Sequence, residues 1–550
     1  MGWRTGAPEQ NRVGKQPVPL LDDLPRGDPD RNPLDADAAA FRGPHAQFAT
    51  THAIRSSRDL AYLSGKLFLG VVDGWVENHD DARDRHVLGG HPVGLSDDRH
   101  IVTIAGSRAG KGRSAIIPNM LLYPGSVLAT DPKGELASIT ALQRQDGHGQ
   151  LVHVLDPFGT VTGPAAKLRK SFNPVAALGA GFQDGEDSRK RDAALIEGAA
   201  LIADALVVPS ERDAHWDESA RTFIEGVILH VRTAATYKDE KNKDREKRLQ
   251  SLVTVQKLIG EGMYYKDKNG KSGVSMAALE IAMRSNPSVG GLVKSAAADF
   301  FERPERERDS VLSTARRHLK FLTYPEIQGA VEGHDFELET LKTARTTIYL
   351  CLPARHIGTC ARWLRLFINL TLQAMEKVRG RPAGGVPVLM ALDEFATLGH
   401  MRQIEDAAGQ IAGFGVKLWP ILQDLGQLKA LYSDRWETFL GNAGVLQFFG
   451  NNDLTTLEWI SKRCGRTSIE SLRLNALTPM QEREGARGES RSIEVHDLLT
   501  PDEIGRFFNR DDHKHRQLVM WASGTRPLVL QRVFYDKHPL FAGLFDELPS

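Results

Sequence analysis

Cysteine is nearly missing: Cys351, Cys360 and Cys464 are the three in 550 residues. They are too few and too scattered for a disulfide framework or a four-ligand zinc site. They read as buried thiols of a reducing cytoplasm. A surplus of either charge is missing too. Lys and Arg number 70, Asp and Glu number 70, and the formal net charge is 0. No global basic field announces nucleic acid, so any such binding must come from a local patch or a pore. Long apolar runs are also missing. The best one, from Leu60 to Val76, is broken by Lys66, Asp73 and several glycines. The uncharged stretch from Ser114 to Thr130 contains Pro118, Asn119 and Pro124. A spanning helix needs about 20 mostly apolar residues, so no transmembrane helix is expected. Met1 to Asp30 is rich in Pro, Gly, Asp and Arg and has no apolar stretch of the kind a secretory signal needs. No internal repeat or low-complexity tract is evident.

What is present is ordinary for a soluble globular enzyme. Hydrophobic residues make up 41% and charged residues 25%, which excludes wholesale disorder. The length suggests about three or four domains, or one large core with an insertion. Residues 1–60 offer little to bury and read as a flexible arm. From about residue 98 short β-branched or apolar strands alternate with helical segments. Ile101–Ile104, Val127–Thr130 and Leu151–Leu155 are the first three strands, and alternation of this kind implies a mostly parallel sheet. Residues 185–335 carry small and apolar residues at helical spacing with few strand signals, which predicts an inserted all-α domain. The run from Tyr237 to Gln250 is packed with alternating charges and reads as a solvated helix or loop. The α/β pattern then returns over 336–550. Thr347–Leu352, Val386–Leu392 and Val416–Leu422 are strands, followed by candidates at Leu518–Trp521 and Leu528–Phe534. Leu364, Phe367, Ile368, Thr371, Leu372 and Met375 share one helical face and belong to the core. Arg466 to Glu494 has no clear pattern and reads as a loop. The first part of the α/β domain is thus 61–184 and its second part 336–550.

Four motifs carry chemistry. Ala105-Gly106-Ser107-Arg108-Ala109-Gly110-Lys111 follows a strand and precedes a helix. Glycines there let backbone N–H groups approach phosphates, the helix N-terminus adds positive partial charge, and Lys111 reaches the β- and γ-phosphates. Gly112 stands where Ser or Thr usually ligates Mg2+, and Arg113 follows it. The ion then needs water or another group, and Ser114 is close in sequence. The second motif is the apolar strand Val388–Leu392 ending in Asp393 and Glu394. At such a place an Asp orders the Mg2+ shell and a Glu polarises the attacking water. The third is Gln423, at the end of the next strand, where an amide senses the γ-phosphate or positions water. The fourth is Asp131, after the second strand, which either contacts metal or caps the next helix.

Together these stretches resemble the type IV secretion coupling proteins, the TraG-like conjugation ATPases. The resemblance runs over about residues 90 to 545. It rests on Ile104–Gly112, Ile117-Pro118-Asn119, Leu122–Ser126, Asp131–Glu135, Ser171–Pro174, Trp216-Asp217 with Ala220-Arg221, Leu392–Phe395, Gln423–Leu425 with Gln427-Leu428, and Leu499–Glu503. It implies a RecA-like P-loop NTPase fold, α/β with an inserted all-α domain, active as a homo-hexamer. It implies ATP and Mg2+ as cofactors, with residues Gly106 to Arg113 cradling the nucleotide. Asp393 then serves Mg2+ through water, Glu394 acts as base and Gln423 as sensor. The implied partners are a single-stranded DNA–relaxase complex, or protein substrates, and the channel proteins at the inner membrane. A protein-only exporter and a receptor that binds nucleotide without turnover are the alternatives.

Two departures matter. Coupling proteins usually begin with membrane-spanning helices, and none is evident here. A soluble variant, docking on a membrane partner at its cytoplasmic face, or an N-terminus lost to a wrong start site each fit that observation. The trans-acting arginine is not evident either: its usual slot reads Ile411-Ala412-Gly413-Phe414. Lys417, Arg355 and Arg402 are the remaining candidates.

Overall fold

A computed structural model describes residues 16–26, 43–77, 84–179, 187–209, 213–239, 241–266, 270–474 and 489–548. The chain forms two compact units, one of residues 1–124 and 418–545, the other of 125–417 and 546–550. Each is built on its own set of strands. In chain order these are β1 (Leu67–Val72), β2 (His91–Leu95), β3 (His100–Ala105), β4 (Val127–Asp131), β5 (Leu151–Leu155), β6 (Thr346–Cys351), β7 (Val388–Leu392), β8 (Val416–Leu422), β9 (Ala443–Phe449), β10 (Arg516–Trp521) and β11 (Leu528–Gln531).

The first unit holds the order β2-β1-β11-β10-β9-β3-β8. Its heart is parallel: β3 lies between β9 and β8, with Ile421 beside Thr103 and Phe448 beside Ile104. Every residue of β3 and β9 is buried, as expected for central strands covered on both faces. From β9 outward the pairs turn antiparallel. The tail strands anticipated near Leu518 and Leu528 form part of that flank.

Two expectations change in this unit. Arg466–Leu474 and Glu489–Asp497 are not loop: they pair antiparallel over nine positions. Each strand's backbone partner lies on the other strand, and a local pattern does not reveal such pairing. The described residues of the N-terminal stretch also pack. Leu20, Leu24 and Phe48 are buried. Arg26 pairs with Glu503, Asp22 with Lys514, and Asp23 with the buried Arg516 at 2.6 Å. Few apolar residues suffice when long-range ion pairs hold the segment beside them.

The second unit holds the order β7-β4-β6-β5, parallel throughout. Helix α1 (Glu135–Leu142) follows β4, and α2 (Ala354–Lys377) follows β6. The predicted apolar stripe of α2 is buried from Leu364 to Met375. Among the described residues between Ser188 and Glu332 the regular elements are helices save for one hairpin, Met263–Lys266 with Ser272–Ser275. Helix pairs there approach closely: Phe223 and Phe300 stack at 3.7 Å, and a Cβ on Gly226 would lie 2.5 Å from that of Ala296. The charged segment Lys243–Leu249 is a helix that buries none of its residues. Among the described residues no helix is long and apolar enough to cross a membrane. The three thiols are free and buried.

Candidate nucleotide site

The phosphate loop sits in the first unit at the carboxyl end of β3. Gly106 is fixed by a close approach: its N–H donates to Phe449 O at 3.1 Å, and a Cβ would stand 1.7 Å from the Gly450 carbonyl. Arg108 and Gly110 both adopt left-handed backbone, at φ +57° and +83°. Alternation of right- and left-handed residues turns successive N–H groups to one side, the geometry of an anion-binding nest. Ser107 and Arg108 are exposed, Ala109 is buried and Lys111 is half-buried. The helix after the loop begins with a π-turn, Gly112–Ile116, and continues through Ile117–Leu122. Pro118 lacks an N–H for the regular ladder, which accounts for an irregular start.

A Cβ on Gly112 would meet nothing within 4 Å. Packing therefore does not require glycine there. The hydroxyl of Ser114 donates back to Gly110 O at 2.9 Å, so its proton is committed to the loop backbone. Arg113 makes two 2.5 Å bonds to Asp536 and lies over the Phe534 ring at 4.1 Å.

Gln423 belongs to the same edge. Leu422 pairs with Ile104, which places Gln423 beside the start of the loop. Its N–H donates to Gln427 Oε1 at 3.1 Å, and its carbonyl accepts from Asn451 Nδ2 at 3.3 Å. Asn451 follows Gly450 and is 4% exposed, and its Oδ1 has no protein partner. A buried amide oxygen without a donor calls for water or ligand. Sequence reasoning missed Asn451, and no local signal marks it.

The acidic pair lies in the second unit, at the carboxyl end of β7. Glu394 adopts φ +52°, strained for a side-chain-bearing residue. Its N–H donates to Asp393 Oδ1 at 2.9 Å, and its carbonyl accepts from Thr397 Oγ1 at 2.7 Å. Thr130 Oγ1 donates to Asp393 O at 2.9 Å, tying β7 to β4. Both acids are half-buried. The turn beyond them is held by buried Arg365 of α2, which donates to Leu398 O and His400 O at 2.9 and 2.7 Å.

Asp131 ends β4 on this edge. Of its two candidate roles, the observed contacts are those of a cap. Its carboxylate accepts from the N–H groups of Ala137 at 2.9 Å and Lys133 at 3.3 Å, around the start of α1. Burial pushes its carboxyl up to about 6 against these stabilising bonds. The arginine candidates separate by exposure. Lys417 is 5% exposed, whereas Arg355 is exposed and the Arg402 side chain is 84% exposed.

Known proteins are similar to this chain in sequence and in fold. The chain is 27% identical over 479 residues to the conjugal transfer protein TraG of Escherichia coli, covering 82% of this chain and 69% of that protein. Its fold is that of the bacterial conjugative coupling protein TrwBdeltaN70, solved in complex with sulphate: TM-score 0.60, 13% identity, 90% and 93% of the two chains. Plasmid coupling protein TrwB in complex with ADP and Mg2+ matches at TM-score 0.54, 13% identity, over 86% and 97%. The family described as "Type IV secretory system Conjugative DNA transfer" matches residues 71–544, and the chain belongs to it.

Proposed function

We propose that this chain binds ATP and Mg2+ at the phosphate loop and hydrolyses ATP to deliver a relaxase-bound DNA strand, or a protein substrate, to a type IV secretion channel. The observation that carries the reading is the loop itself: two left-handed residues and a close-packed Gly106 between a buried strand and a helix start, with Gln423 on the same edge. That donor set fits a nucleotide phosphate. Residues Gly106 to Arg113 would cradle the phosphates, with Lys111 as the phosphate-binding ammonium. Mg2+, when bound, neutralises charge developing on the phosphoryl oxygens. Asp393 would hold its shell through water. An open position at Gly112 and a committed Ser114 hydroxyl fit such an indirect arrangement. Glu394 would take a proton from the attacking water, and Gln423 would orient that water. The proposal includes an inserted helical domain over about 185–335, a homo-hexameric ring and work at the cytoplasmic face of the inner membrane. Exposed Arg402 and Arg355 are the candidates for the trans-acting arginine.

The test is ATP hydrolysis by purified protein across a concentration series, with and without single-stranded DNA, beside Lys111→Ala. Cooperative, DNA-stimulated hydrolysis is expected, reduced on the order of 100-fold or more in the variant. Hydrolysis indifferent to DNA would shift the cargo to protein. Nucleotide binding without turnover in every assembled state would overturn the motor in favour of a receptor.

A further inference from the structure

A loop that turns its N–H groups toward a phosphate must turn carbonyls the other way. Where those carbonyls are buried, each needs a donor. Ala109 is such a residue, at 4% exposure. Its carbonyl accepts from Arg532 Nη1 at 2.7 Å. Arg532 follows β11, more than 400 positions along the chain. It is 2% exposed, sits 4.9 Å over the Phe449 ring, and sends Nη2 to Arg510 O at 3.3 Å. Among the described residues no carboxylate hydrogen-bonds it, and its side-chain hydrogen bonds go to backbone carbonyls.

The residues that follow extend this support. Phe534 lies 3.7 Å from where a Cβ on Gly110 would stand, and its ring carries the Arg113 guanidinium. Tyr535 N donates to Arg113 O at 3.2 Å, and Asp536 binds Arg113 through both carboxylate oxygens. One short segment thus grips the loop on Ala109, Gly110 and Arg113, before and after Lys111.

We propose that Arg532 is a positioning residue for nucleotide binding, and that residues 532–536 form a strap that holds the phosphate loop in its receptive shape. The inference rests on reading the loop as the ATP site. Without Arg532 the Ala109 carbonyl is buried and unsatisfied. The peptide then rotates to find a donor and takes the neighbouring N–H groups out of register with the phosphates. Hydrogen bonds to charged donors are strong enough that binding should weaken about tenfold or more.

The experiment measures the affinity of full-length protein for a ribose-labelled fluorescent ATP, with hydrogen exchange over residues 106–113. Variants are Lys111→Ala, Arg532→Gln, Arg532→Lys and Asp536→Ala. Arg532→Gln should bind at least about tenfold more weakly and exchange faster through the loop. Arg532→Lys, which keeps one donor, should recover part of the affinity. Asp536→Ala removes a half-exposed partner and should show a smaller loss in the same direction. In turnover, KM should rise more than kcat falls. If Arg532→Gln does not fold, Asp536→Ala and Arg532→Lys decide the matter. Should Lys111→Ala weaken binding while the strap variants match wild type, the strap is overturned and the ATP site stands. Should Lys111→Ala bind like wild type, the ATP-site reading itself fails, and the strap with it.

Discussion

The phosphate loop and the acidic turn solve the same problem with different reach. Each ends a buried parallel strand, and each contains a strained non-glycine residue, Arg108 at φ +57° and Glu394 at +52°. Each is braced by a buried arginine that donates into backbone carbonyls, Arg532 for the loop and Arg365 for the turn. The difference is distance along the chain. Arg365 lies 33 positions from Leu398, and Asp393 and Glu394 bond to each other and to Thr397. Arg532 lies 423 positions from Ala109. Apart from the Thr130 hydroxyl on the Asp393 carbonyl, the bonds that shape the acidic turn come from nearby in the chain. The loop depends on strands and a tail segment that arrive last in the sequence. A motif written in a few contiguous residues can still owe its working shape to remote ones.

The sharpest way to break the comparison lies inside the loop. Gly106→Ala forces a Cβ against the Gly450 carbonyl, and overpacking of this kind should destabilise the first unit by about 3 kcal/mol. Gly112→Ser enters open space and should shift stability by no more than about 0.5 kcal/mol. Denaturant melts of the two variants check this; equal effects would mean that contacts from β9 do not define the loop.

Acid–base behaviour separates the units next, with opposite signs. Asp131, in the second unit, has its carboxyl raised from 3.8 to about 6 by burial. The folded state keeps the proton that the unfolded state loses, so this group's contribution falls as pH rises from about 4 to about 6. His515, in the first unit, is lowered from 6.5 to about 4, chiefly by burial and then by nearby Arg532. Its contribution is present above about 6.5 and is lost as pH falls toward 4. Each shift corresponds to up to about 3 kcal/mol. Relative to Asp131→Asn, the wild type should lose stability across the rising window. Relative to His515→Asn, it should gain. Asparagine suits the left-handed backbone of His515, at φ +55°. Urea melts at pH 4, 5 and 6.5 read both slopes, and slopes of the same sign would refute the assignment.

The smallest effect tests the shared strain. Arg108→Gly and Glu394→Gly should each stabilise by about 1 kcal/mol, because glycine adopts positive φ freely. The Glu394 change should also abolish turnover. Thermal melts check the first part; destabilisation in either variant would show that the side chain contributes more than its backbone strain costs.

The amino-acid sequence alone marked β3 to β8, β10 and β11, and it placed the phosphate loop, the acidic pair and Gln423 at strand ends; β1, β2 and β9 it did not mark. The marked features are signalled by contiguous residues: apolar runs of strand length, glycines at a turn, charges at a strand end. It also determined the buried face of α2, since a helical stripe is a local period. Remote pairing alone decided the rest. The ribbon at Arg466–Leu474 and Glu489–Asp497 reads locally as loop, because each strand's backbone partner lies on the other strand. Leu20 and Leu24 sit in polar, proline-rich sequence and are buried beside ion pairs to Glu503, Lys514 and Arg516, and Phe48 is buried where the N–H groups of Ala46 and Ala49 donate to Arg466 O and Pro527 O. Asp131 was undecided between metal and cap until its bonds to the N–H groups of Lys133 and Ala137 appeared. Arg532, Arg365 and Asn451 carry no motif at all. A buried donor gains its importance from the carbonyl it meets, and only the folded chain brings the two within 3 Å or so of each other.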